Sequence, residues 1–124
     1  MDRGPSKRAA FLRGRLAEDF VEQHLKSQGW RILERNWRGG GGELDLICLR
    51  SDSLRFVEVK GRRHTCYEPI GRGQLQRLCS AAEAYMSECT CDFSESFFSV
   101  ALVLWDGAKW RLRWLEQAFD LDGE

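Results

Sequence analysis

GGGGELDLICLRSDSLRFVEVKGRRH, residues 39–64, is the stretch whose reading decides the fold. It contains two mainly apolar runs, 43–49 and 54–60, separated by Ser51-Asp52-Ser53. Serine and aspartate favour turns because their side chains bond the local backbone, so the two runs predict a β-hairpin. Both runs also carry charge toward a core. Glu43 and Asp45 open the first, and Glu58 and Lys60 close the second. Residues two apart in a strand share a face. Glu43, Asp45 and Ile47 are therefore expected on one face, with Leu44, Leu46 and Cys48 on the other. In the second strand Phe56, Glu58 and Lys60 oppose Val57 and Val59. With suitable hairpin register, Asp45, Glu58 and Lys60 converge on one patch.

On either side of the hairpin the pattern changes period. Over 7–28, Leu12, Leu16 and Phe20 recur every fourth residue, joined by Ala17, Val21 and Leu25, which predicts an amphipathic helix ended by Gly29. Residues 30–36 read as a short strand. Gly39 to Gly42 read as a flexible turn and not a phosphate loop, because no Gly-Lys-Ser/Thr follows. A second helix is expected over 72–88 from Leu75, Leu78, Ala82 and Tyr85, and two further strands over 97–104 and 110–115, around Asp106-Gly107. The order α-β-β-β-α-β-β, without repeat or linker, predicts one α/β domain over 1–124, a central mixed sheet flanked by helices. Residues 1–8 are a candidate disordered tail.

Composition bounds the function. The chain has 124 residues, 43% hydrophobic and 31% charged, with a formal net charge of zero. That balance suits a globular protein and argues against binding polyanions by bulk charge alone. Basic residues are locally concentrated, however, at Arg3, Lys7, Arg8, Arg13 and Arg15, and again from Arg55 to Arg77. No apolar run is long enough to span a bilayer, and the basic N-terminus lacks an apolar export segment, so a cytoplasmic protein without a membrane partner is expected. Five cysteines then imply reduced thiols. His64, Cys66, Cys79, Cys89 and Cys91 lack the paired Cys-x-x-Cys spacing of a zinc site. Cys48 reads as a small core residue, and Trp37, in a basic glycine-rich turn, as a candidate for stacking on an unpaired base.

Carboxylates at the ends of adjacent strands repel unless positive charge lies between them. Lys60 could supply it, as a structural ion-pair cluster. A divalent cation could as well, since Mg²⁺ takes one or two carboxylates and completes its shell with water and phosphate oxygens. Residue types alone leave both open.

The wider pattern resembles the PD-(D/E)XK nuclease superfamily: an aspartate, a spacer of about a dozen residues, and Glu-x-Lys on the following strand, after a helix bearing Glu18. More narrowly, AEDFVEQHLKSQGWRILERNWR, GELDLI, RFVEVKGRR, RGQLQRLCSAAEAYM and EQAFD look like the YraN-like family, grouped with Holliday-junction-resolvase-like endonucleases. The resemblance implies a Mg²⁺- or Mn²⁺-dependent endonuclease acting on DNA, including branched DNA, and a homodimer. It implies that Asp45, Glu58 and the Val59 carbonyl hold the metal, that Glu18 reaches it directly or through water, and that Lys60 is catalytic. Gln74 falls where relatives often carry lysine, so it can position water or phosphate without supplying charge. Ala17 stands for a usual glycine and Ser99 for a usual aspartate. Arg62, Arg63, Arg72 and Arg77 are the candidate DNA-backbone contacts. The alternative is a DNA-binding or accessory protein that keeps this fold without catalysis.

Overall fold

The computed structural model describes residues 7–62 and 71–115. Helix α1 (Lys7–Ser27) leads into strands β1 (Arg31–Gly39), β2 (Gly42–Arg50) and β3 (Ser53–Arg62). Helix α2 (Arg72–Glu88) follows, then β4 (Glu95–Trp105) and β5 (Trp110–Leu115). The expected α/β order therefore holds. The strands form one mixed sheet in sequence order, antiparallel except for β3 and β4, which run parallel with α2 in the connection between them. A parallel pair needs such a crossover, whereas antiparallel neighbours close through tight turns.

Each helix covers one face. Ala17, Val21 and Leu25 of α1 are buried against Leu46, Cys48, Val57, Ala101 and Val103. Leu78, Ala81, Ala82 and Tyr85 of α2 are buried against Leu44, Ile47, Leu54, Phe56 and Phe98. Because both faces are covered, the central strands carry long apolar runs without strict alternation. One expectation for α1 is corrected. Leu16 is 53% exposed, because the buried stripe follows Ala17, Val21 and Leu25 one position round the helix. Lys7 and Arg8 of the expected disordered tail fall within α1, while residues 1–6 lie outside the described residues.

The glycine turn is not a loose loop. Ser80 Oγ on α2 donates to the Gly40 carbonyl at 2.5 Å. A methyl group added at Gly40 would meet the Ser80 carbonyl, and one at Gly42 would meet the Arg77 carbonyl. Gly40 and Gly41 also have φ of 59° and 83°. Glycine is needed there for close approach to α2 and for the left-handed backbone, so the expected flexibility gives way to a docked turn. Trp37 is docked too. Its ring is partly buried and packs edge-on to Tyr85 at 5.3 Å against the α2-side core, so packing accounts for at least part of its role.

Cys48 is buried as expected, and burial pushes its thiol up to about 12. Cys89 and Cys91 are joined by a disulfide with Cα atoms 5.5 Å apart, so the expectation of reduced thiols fails for this pair. The sharp turn after α2 brings the two cysteines within the span that a disulfide bridges. Cys79 remains a free thiol, and His64 and Cys66 lie outside the described residues.

Candidate active site

The β2–β3 ladder runs from Arg50↔Ser53 to Leu46↔Val57 and then stops. The next positions along that register are Asp45 and Glu58. They face each other where the strands begin to part. Asp45 Oδ2 accepts a 2.7 Å hydrogen bond from the Val59 N–H, taking the place of a lost ladder bond. In an extended strand the N–H and C=O of one residue point to the same neighbour. The Val59 carbonyl is accordingly directed toward the same gap.

Asp45 is half-buried, while Glu58 is 8% exposed. The Glu58 carboxyl is held well above the usual carboxylate range. Burial is the main cause, followed by a hydrogen bond to Asp45 and the charge of Asp45; Lys60 works in the opposite direction. Neighbouring acids sheltered from water disfavour a second negative charge, which is the direction of the Glu58 shift. Gln74 Nε2, at the start of α2, donates to Glu58 Oε2 at 3.4 Å. Gly42, Glu43, Asp45, Glu58, Gln74, Arg77 and Leu78 line the resulting cleft on the α2 side.

On the other side, Asp45 also lines a cleft with Gly14, Arg15, Glu18, Asn36, Arg38 and Glu43. Glu18 is raised above its ordinary value by burial and then by the charge of Asp45, with Asn36 and Arg35 opposing. Asn36 Nδ2 donates to Glu18 Oε1 at 3.3 Å, and Arg35 Nε lies 3.4 Å from the same oxygen. Arg35 also holds Asp19 at 2.6 Å. The structure therefore sets Glu58 and Gln74 on one side of Asp45 and Glu18 on the other.

Two placements depart from simple alternation. Leu44 and Ile47, three apart, belong to the same core cluster, whereas Leu46 and Cys48 pack on the opposite face. The expectation that Leu44 shares a face with Leu46 is overturned. The change falls where Asn36 and Asp45 stand opposite each other. The β1–β2 ladder pairs Arg35 with Leu46 and Trp37 with Leu44 but has no pair between them, and Asn36 has φ of 54°. Asparagine tolerates that left-handed backbone better than most side chains. Consecutive Arg35 and Asn36 consequently both reach Glu18 on the α1 face. Sequence reasoning missed these two residues. An asparagine inside a predicted strand was the available signal, and strand periodicity concealed it.

Lys60 is half-buried and lowers the Glu58 value electrostatically, yet it forms no ion pair with Asp45 or Glu58 among the described residues. It therefore does not neutralise the pair by contact. Arg72 and Arg77 are exposed on the first turns of α2, and Arg77 lines the α2-side cleft. Arg62 lies at the end of β3, but its side chain, with all of Arg63, falls outside the described residues. Ser99 is buried and accepts a hydrogen bond from Arg55 at 2.9 Å, which gives it a structural place away from the carboxylates. Ala17, the other departure from the resembled pattern, lies under Gly61, where an added methyl would sit 3.5 Å from the Ala17 methyl.

The donor set suits a hard divalent cation. Two carboxylates and a backbone carbonyl are what Mg²⁺ or Mn²⁺ uses when water and a substrate phosphate complete the shell. Among the described residues no group of three or more His, Cys, Asp or Glu is placed to hold a metal ion, so two carboxylates would need water and substrate oxygens to complete a shell. An open site of this kind leaves positions for substrate.

Comparison with known proteins places the chain in a family. The model of the uncharacterised protein family UPF0102 matches residues 17–103, which include Glu18, Asp45, Glu58, Lys60 and Gln74. A UPF0102 protein of Dechloromonas aromatica (strain RCB) is 38% identical over 117 residues, covering 89% of this chain and 90% of that relative. One from Pseudomonas syringae pv. tomato is 36% identical over 117 residues, covering 86% and 91%. One from Arthrobacter sp. (strain FB24) is 39% identical over 105 residues, covering 82% and 89%. No helix among the described residues is long and apolar enough to cross a membrane. With a match that takes in the second half of α1, the carboxylate hairpin and all of α2, the chain belongs to the UPF0102 family, the YraN-like family its motifs resemble.

Proposed function

We propose that this protein is a Mg²⁺- or Mn²⁺-dependent endonuclease that hydrolyses phosphodiester bonds of DNA. The observation that carries this reading is the adjacent pair of half-buried Asp45 and buried Glu58 where the β2–β3 ladder ends, with Asp45 on the Val59 N–H and Gln74 on Glu58. Two adjacent acids in a sheltered spot are costly for a purely structural hairpin, beyond what the Val59 N–H bond needs, whereas they are the donors a cation site uses. Asp45, Glu58 and the Val59 carbonyl would hold the ion, with Glu18 in reach of an outer water. Once bound, the ion supplies charge stabilisation at the phosphate and acidifies a water.

The remaining work falls to this chain's own groups. Lys60, close enough to act on Glu58 but not paired to either acid, is free to orient the attacking water or oppose charge growing on the phosphate. Gln74 holds Glu58 in place through its amide and can present its remaining hydrogen-bonding capacity to water or phosphate. Asn36 and Arg35 fix Glu18 on the other side of Asp45.

A second reading, a DNA-binding accessory protein without catalysis, draws on one observation. The position that Gln74 occupies delivers a neutral amide to the site, and that amide is already engaged by Glu58. Cleavage assays over single-stranded, duplex, flap and four-way-junction DNA, with Mg²⁺ and with Mn²⁺, separate the readings. The nuclease reading expects metal-dependent product from at least one substrate, lost in Asp45→Asn. Binding without product under every condition supports the accessory reading.

A further inference from the structure

We infer that the docked glycine turn and the arginines on either side of it, Arg38 of β1 and Arg77 of α2, form a DNA-backbone track leading across the turn into the carboxylate site. This rests on the nuclease reading for its ligand, and it adds Arg38 and the docked turn to Arg77, which the sequence already offered as a backbone contact. A shallow open cleft over the turn is lined by Arg38, Gly39, Gly41, Gly42, Glu43 and Arg77. It shares Gly42, Glu43 and Arg77 with the Asp45–Glu58 cleft, and Arg38 and Glu43 with the Glu18 cleft. The three surfaces are therefore continuous.

The chemistry along this path suits a phosphodiester chain. Gly41 has open space around its α-carbon, so an extended polyanion can approach the backbone there without meeting a side chain. Both arginines are exposed. Arg77 has no carboxylate partner among the described residues. Among the described residues Arg38 Nε pairs with the exposed Glu43 at 3.6 Å, an ion pair that water and salt weaken and that a phosphate can replace. Guanidinium forks match phosphate oxygens in two-point geometry, so arginine suits such a track better than lysine. Docking of the turn on α2 through Ser80 and Gly40 fixes the distance between the two arginines' elements before DNA arrives. A rigid track of this kind would set where the backbone enters the site and would not read sequence.

Equilibrium binding of a fluorescent DNA duplex and a four-way junction, in Ca²⁺ to suppress hydrolysis and at several salt concentrations, tests the track. Arg38→Ala and Arg77→Ala should each lower the slope of log affinity against log salt by about one, and the double variant by about two. Arg31→Ala, an exposed arginine at the opposite end of the sheet, should leave the slope unchanged. Calorimetric metal affinity should persist in the double variant. A parent-like slope in the double variant, with the parent binding and cleaving DNA, overturns the track and leaves the nuclease reading standing. Loss of slope in a protein that binds but never cleaves supports the track and removes the hydrolytic reading. A parent that binds no DNA overturns the track outright.

Discussion

The two ends of the β2–β3 hairpin are built on opposite principles. From Arg50↔Ser53 to Leu46↔Val57 the strands are paired, and Ile47, Leu54, Phe56 and Val57 are buried between the helices. Beyond that point the ladder ends, and Asp45 and Glu58 meet across the gap with Val59 N–H bound to a carboxylate. One end stabilises the fold by burying apolar area, and the other places mutually repelling acids in a sheltered spot. The same two strands thus separate stability from chemistry along their length. Mutations at the two ends should fail in different ways.

The largest expected effects come from setting the ends directly against each other. Phe56→Ala removes a fully buried ring and should cost about 3–5 kcal/mol in stability, read by denaturant unfolding. Asp45→Asn and Glu58→Gln should instead leave folding intact and abolish metal-dependent cleavage, a loss on the order of 10³-fold or more in single-turnover rate. If Asp45→Asn unfolds the protein as readily as Phe56→Ala, the acidic end is structural and the contrast collapses.

Lys60→Met is the next step down. The methionine keeps most of the stem and removes the ammonium. Since Lys60 forms no ion pair with either acid, its removal should shift the melting temperature little, while single-turnover cleavage falls on the order of 10²-fold. The reverse result, a large stability loss with a near-parental rate, would make Lys60 a neutralising group only.

A smaller effect lies in the pH dependence of stability without metal. Glu58 has a raised value in the folded protein, so the folded state binds a proton more tightly than the unfolded chain does. The stability linked to that proton is complete below the ordinary glutamate value of about 4.3 and is lost as pH rises toward the folded value. The slope is at most about 1.4 kcal/mol per pH unit. Thermal melts of the metal-free protein between pH 5 and about pH 8.5 should show this decline, and Glu58→Gln should flatten it. A parent that gains stability with rising pH over this range would contradict the sheltered pair.

Much of this contrast was legible in the residues themselves. Helical spacing located α1 and α2, and the apolar runs about Ser51-Asp52-Ser53 gave a hairpin whose register sets Asp45 opposite Glu58. What escaped is non-local or backbone-encoded. The change of face near Asp45 coincides with the left-handed conformation of Asn36 on the neighbouring strand, which alternation alone does not reveal. The docking of Gly40 and Gly42 needs the position of α2, which no local pattern contains. The packing of Trp37 on Tyr85 and the exposure of Leu16 were likewise decided by which neighbour each face met.

The most direct test of the acidic end is calorimetric titration of Mn²⁺ and Mg²⁺ into the parent and into Asp45→Asn, in buffers of differing ionisation enthalpy. A cation bound by Asp45 and Glu58 competes with protonation of Glu58, whose carboxyl is pushed up by burial, because carboxylates bind metal in their ionised form. The parent should therefore bind metal with proton release at neutral pH, and Asp45→Asn should lose that affinity while its unfolding transition stays cooperative. Equal metal affinity in the two proteins, or no binding to the parent, would contradict the assignment of this pair as a metal site.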